Sequence, residues 1–156
     1  MPKIKDENQR VLSNDGLRKS RHIAIRLPVE THKKVLKNIN KYDIKGSQQL
    51  FDYLVISGVC FRKTSVLELI RSKKDEEQKK ASLERISRFG KIAKPEKFEK
   101  KQFIVDLYPA DFKAFTDYVI EDNVKKQHVY NILYTEFSNE NPVLIELISK
   151  CKENNV

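Results

Sequence analysis

The chain of 156 residues has no tryptophan, one methionine, two cysteines and four scattered glycines. Each scarcity closes off a class of function. Ungrouped glycines leave no glycine-rich loop to cradle a nucleotide phosphate. Cys60 and Cys151 have no CxxC partner and no histidine company, so neither a zinc site nor a disulfide framework is expected. Both are read as reduced structural thiols of a cytoplasmic protein. His22, His32 and His128 lack metal-ligand spacing, and no serine or cysteine sits in a nucleophile signature. No enzymatic activity, metal or cofactor is therefore expected. No apolar run approaches the length of a membrane span, and the first residues lack the apolar segment of a signal peptide. A membrane is not an expected partner.

What the chain has in abundance is charge: 34% of its residues are charged and the net is +9. A basic surplus of this size favours a polyanionic partner. Its distribution is uneven. Residues 1–71 carry 15 basic and 7 acidic side chains, a net of +8; residues 72–102 carry 11 and 6, a net of +5. Residues 103–156 carry 5 and 9, a net of −4.

Arg21 to Gly58 organises the rest. In RHIAIRLP, Ile23, Ile25 and Leu27 alternate with His22, Ala24 and Arg26, the period of a strand with one buried face. Pro28 ends that strand and suits a helix start. Val35, Leu36 and Ile39 then recur at helical spacing among Lys33, Lys34 and Lys37. After a break at Lys45-Gly46, Ser47 is the expected N-cap of a second helix carrying Leu50, Phe51, Leu54 and Val55. A lone strand with two helices buries too little apolar surface to be stable, so the strand requires a partner.

The alternating HIAIRLP, the lysine-rich first helix and the KGSQQL opening of the second resemble the ribbon-helix-helix DNA-binding family of the Arc and MetJ type. That resemblance covers about a quarter of the chain. It implies a mostly α fold with a short β-ribbon that enters the major groove of double-stranded DNA. It also implies that His22, Ala24 and Arg26, with Arg21 beside them, face the bases. Lys45, Gly46, Ser47 and Gln48 would clamp a phosphate at a helix N-terminus. Of these, Arg26 is the strongest base reader, because its fork matches guanine O6 and N7. Ala24 departs from the polar residue usual there and offers only a contact to a thymine methyl.

A second copy is expected further on. Phe103, Val105 and Leu107 repeat Ile23, Ile25 and Leu27 at a displacement of 80, and Phe115 and Val119 repeat Val35 and Ile39. Four segments follow: a basic arm over residues 1–20, a ribbon-helix-helix module over 21–70, a charged part-helical linker over 71–101, and an acidic related module over 102–156. Ahead of the linker Ser65 caps a short helix, and within it mixed charges predict a solvated helix over roughly Lys73–Phe89, broken by Gly90 and Pro95. The outward residues of the second strand would be Gln102, Ile104 and Asp106. An aspartate there repels phosphates, so the second module is expected to have left DNA for dimerisation or a protein partner. The strands pair either between two chains, as a homodimer, or within one, as a pseudo-dimer. The expected function is sequence-specific double-stranded DNA binding, as a transcriptional repressor or a plasmid-maintenance factor in partition or the relaxosome. The alternative is a protein-interaction module, such as an antitoxin or assembly adaptor, with incidental DNA affinity.

Overall fold

The computed structural model describes residues 21–89 and 99–154. The basic arm of residues 1–20 and the break at Gly90 and Pro95 lie outside them. Strand β1 (Arg21–Pro28) finds its partner within the chain: it pairs antiparallel with β2 (Lys100–Leu107). Helices α1 (Val29–Lys41) and α2 (Ser47–Phe51) follow β1, and α2 runs on without a break as π-helical turns over Asp52–Cys60. Helix α3 (Thr64–Phe89) then crosses to β2, which is followed by α4 (Pro109–Glu121), α5 (Lys126–Ser138) and α6 (Pro142–Glu153). The protein is mostly helical, with one short two-stranded sheet.

The order strand, helix, helix, helix occurs twice. Helices α1 and α4 are each 13 residues long, and their boundaries lie 80 positions apart. Both end in the same turn. Asp43 and Asn123 take left-handed φ values of 54° and 52°. The next residue's N–H then reaches back five positions, Ile44 to Ile39 (2.9 Å) and Val124 to Val119 (3.0 Å). The strand register carries the same relation. Ala24 faces Ile104, its own counterpart, while His22 faces Asp106 and Arg26 faces Gln102. An approximate two-fold axis therefore passes between Ala24 and Ile104.

One core joins the halves, which corrects the expectation of two modules separated by a linker. Ile25 and Leu27 of β1 and Phe103, Val105 and Leu107 of β2 are buried in the same cluster as Val35, Leu50, Phe51, Phe115, Leu133 and Phe137. Helix α1 packs on α5, and α4 packs on the π-helical turns, so each half is covered by the other. Tyr130 of α5 stacks on Phe115 (5.2 Å between centroids) and lies 6.1 Å from Phe51. The physical reason is the one that forbids a lone strand: neither half offers both a ladder partner and a lid for its apolar face.

Three further details differ from expectation. Helix α3 is continuous from Thr64 to Phe89, so Ser65 lies inside it and no break falls in the charged stretch after Ile70. Val66, Leu67 and Ile70 are buried, and burial extends as far as Glu77; beyond it Leu83 and Ile86 are exposed. Leu36 is 44% exposed, whereas Asn38 is buried, because the inward face of α1 runs through Val35, Asn38 and Ile39. The Asn38 side chain compensates by donating to the carbonyls of Phe137 (2.9 Å) and Ser138 (3.2 Å) at the end of α5, the first of which also accepts from the Glu140 N–H (2.9 Å). Finally, the N-cap of α2 is Gly46 rather than Ser47. Gly46 has φ +124° and ψ 179°, a backbone region essentially closed to residues with a Cβ.

Glu77 gives the fold a pH dependence. It is buried between α3 and α5 and accepts from Asn131 Nδ2 at 3.1 Å, while Asn131 Oδ1 has no hydrogen-bond partner. Burial raises its carboxyl pKa; Lys80, Asn131 and Lys100 pull it the other way without cancelling the rise. Folding thus favours the protonated acid, and this stability is present at acid pH and lost as pH rises through the folded pKa. Glu77→Gln mimics the protonated form and supplies a donor for Asn131 Oδ1. The variant is expected to be about 1 kcal/mol more stable than the parent at pH 7. That advantage should shrink towards pH 4, as urea unfolding at the two pH values would register.

Candidate nucleic-acid interface

The two-stranded ribbon has one face in the core and one in solvent. Alternation along each strand leaves His22, Ala24, Arg26, Gln102 and Ile104 exposed and Asp106 half-buried. Pairing sorts these six side chains into three rungs. At one end Arg26 Nε donates to Gln102 Oε1 at 3.4 Å. In the middle Ala24 lies opposite Ile104, which is 53% exposed. At the other end His22 Nδ1 lies 2.8 Å from Asp106 Oδ1. Of the two strand pairings the sequence allows, the structure has the one within a single chain: β2 supplies half of this face, and it is the only strand available to β1 among the described residues.

Arg21 sits elsewhere. Its position has the inward parity of Ile23 and Ile25, and at the strand's end its guanidinium stacks over Phe112 of α4, 4.0 Å from the ring centre. Lys126, the first residue of α5, places its ammonium 4.0 Å from the same ring. Arg21 therefore joins a small cationic cluster at the start of α5, not the row containing Arg26. Across the axis His32 stacks on Phe103 at 4.2 Å, and its imidazole pKa is lowered by burial and by Lys101.

The start of α2 borders the ribbon. Gln48 makes two bonds to the open edge of β2: its Nε2 donates to the Asp106 carbonyl (3.1 Å), and its Oε1 accepts from the Asp106 N–H (2.7 Å). The Gln48 amide thus acts as one more rung of the ladder and fixes the N-terminus of α2 beside the His22–Asp106 end. Gln49 Oε1 accepts from the Lys45 N–H at 2.8 Å, and no side chain caps α2 at Gly46. Lys45 is exposed, and Gly46 and Ser47 are half-buried. The structure therefore gathers Lys45, Gly46, Ser47 and Gln48 at one helix start bordering the His22–Asp106 end of the row of ribbon side chains, while Arg21 stands apart.

Sequence reasoning underrated Gln102, Ile104 and Asp106 and missed Phe112 and Lys126. The signal for the first three was present. In an antiparallel pair of strands related by a displacement of 80, the outward residues of one strand meet the outward residues of the other, His22 opposite Asp106 and Arg26 opposite Gln102. Among the described residues there is no group of three metal-ligating side chains, and burial pushes the Cys60 thiol up to about 12, leaving it protonated at neutral pH. No described helix is long and apolar enough to cross a membrane. Comparison with protein-family models, curated proteins and solved structures finds no match.

Proposed function

We propose that this chain binds double-stranded DNA by laying the β1–β2 ribbon in the major groove, as a ribbon-helix-helix arrangement closed within one polypeptide. One observation carries the proposal: a two-stranded antiparallel ribbon, backed by helices, presents a solvent face of alternating side chains that includes an arginine and a glutamine. A two-stranded ribbon fits the width of the major groove, and these two side chains are suited to base edges. The net charge of +9 supplies the attraction to phosphate, and the starts of α2 and α5 supply N–H donors with Lys45 and Lys126 beside them. The cellular role that fits is transcriptional repression or plasmid maintenance in the cytoplasm.

A salt titration against duplex DNA tests this, comparing random sequence with the upstream region of the protein's own gene. The expected result is a steep salt slope together with at least roughly a thousandfold preference for the cognate region. No binding near 0.1 M salt would remove DNA as the ligand. Arg26→Ala is expected to cost about 1–3 kcal/mol on the preferred site and much less on random DNA. Equal losses on both would assign Arg26 to phosphate alone.

A second reading, a protein-interaction module such as an antitoxin or adaptor, is favoured by Leu83 and Ile86, which are 57% and 60% exposed on the distal half of α3. The two are separated by Leu83→Lys with Ile86→Lys. DNA affinity should survive this change if the ribbon is the working surface.

A further inference from the structure

From the three rungs of the ribbon we infer that one chain reads a DNA site without two-fold symmetry, in a fixed direction. This rests on the proposed DNA contact and deepens it. The fold is nearly symmetric about Ala24 and Ile104, yet the chemistry of its two ends is opposite.

At the first end, Arg26 gives its Nε–H to Gln102 Oε1 (3.4 Å). The two terminal guanidinium nitrogens and the Gln102 amide nitrogen remain, and all of them donate. This end suits an edge made of acceptors, above all guanine O6 and N7. At the second end, His22 Nδ1 and Asp106 Oδ1 are 2.8 Å apart, a contact in which the ring N–H donates to the carboxylate. What remains is the second carboxylate oxygen and, in the neutral ring, Nε2, and both accept. This end suits an exocyclic amino group, cytosine N4 or adenine N6, and opposes a guanine, whose O6 and N7 would face acceptors. Between them Ala24 and the exposed Ile104 offer only apolar surface, which suits a thymine methyl.

The row therefore runs donor, apolar, acceptor. Four residues of strand separate its ends, about 13 Å at ~3.3 Å per residue. That is about four base-pair rises of ~3.4 Å. The site is directional: guanine towards one end, thymine near the centre, and cytosine or adenine about four pairs away. A homodimer of identical strands would place the same chemistry at both ends, so the asymmetry belongs to the closure of the ribbon within one chain. It also gives Asp106 a use on a DNA-facing surface, since within the groove its acceptor meets an amino group instead of a phosphate.

Selection of the full chain against a randomised duplex pool tests this, with the stoichiometry of the selected complex measured by native mass spectrometry. A motif lacking two-fold symmetry, bound by one chain, is expected. Asp106→Asn should lower discrimination at the cytosine-or-adenine position roughly five- to 150-fold while leaving the guanine position unchanged, the range spanned by one good base contact. Its thermal unfolding, measured alongside, should match that of the parent. A palindromic motif, two chains per motif, or an Asp106→Asn effect spread over both ends would overturn the directional reading and leave DNA binding intact. Salt-dependent binding with no enriched motif would overturn both.

Discussion

A chain truncated after Glu99 is expected to have no folded monomer. The removed part contains β2, so every ladder group of β1 loses its partner, and Ile25 and Leu27 lose the residues that cover them. It also contains Phe115, Leu133, Tyr134 and Phe137, all fully buried against the N-terminal half or within the shared core. Truncating a single such side chain costs about 2–5 kcal/mol, while the whole stability of a domain is about 5–15 kcal/mol. Loss of three or four of them leaves nothing to offset the entropy of ordering. Any structure that remains must depend on concentration, with β1 pairing to a second copy in the register that the approximate axis prescribes. Circular dichroism and sedimentation across a range of concentrations would follow this. A monomeric fragment with a cooperative thermal transition would contradict the shared core.

The second large effect is expected at Phe51→Ala. Phe51 is fully buried, and its ring meets Tyr130, which in turn stacks on Phe115, so one side chain of the first half adjoins a stacked pair of the second. Deleting it should cost about 3–5 kcal/mol. For a chain of this length that lowers the melting temperature by roughly 6–20 °C. The diagnostic feature is cooperativity. Amide protection in α1 and in α5 should fall together, and urea unfolding should remain a single transition at a lower midpoint. Separate transitions for the two halves would mean that they are independent units.

These effects indicate which parts of the molecule were legible in sequence. The strands were, because Ile23, Ile25, Leu27 and then Phe103, Val105, Leu107 alternate without interruption before Pro28 and Pro109. Their pairing was not, since alternation names the buried face of a strand and says nothing of which strand lies beside it. Helix existence followed from spacing, but the phase of α1 did not: Leu36 outranks Asn38 in hydropathy, and only the bonds from Asn38 to the carbonyls of Phe137 and Ser138, 99 and 100 positions away, explain why the asparagine is inside. The continuity of α3 was hidden by its charges. Arg71 and Lys74 look solvated in sequence, yet Arg71 binds Asp122 through two nitrogens (2.8 and 3.2 Å), and Lys74 donates to the Asp122 carbonyl (2.8 Å). At the interface, Arg26 was legible from strand parity alone. The two Gln48 bonds to Asp106 were not, because they join residues 58 positions apart. The misplacement of Arg21 had a local cause: the last inward position of a strand has no core above it, so a long cation there turns to the nearest ring.

The ribbon also sets an order of events during synthesis. Its two strands are separated by all of α1, α2 and α3, so β1 leaves the ribosome roughly 80 residues before its complement. At about 5–20 residues per second that interval lasts roughly 4–16 s. Throughout it the nascent chain carries an unpaired edge with Ile23, Ile25 and Leu27 uncovered. Chains growing side by side on one message offer each other that same edge, in a register close to the native one, for as long as β2 is unmade. The closure that gives the finished protein two unlike ends therefore carries a kinetic hazard of mispaired neighbours, and its severity is governed by translation speed across residues 29–99.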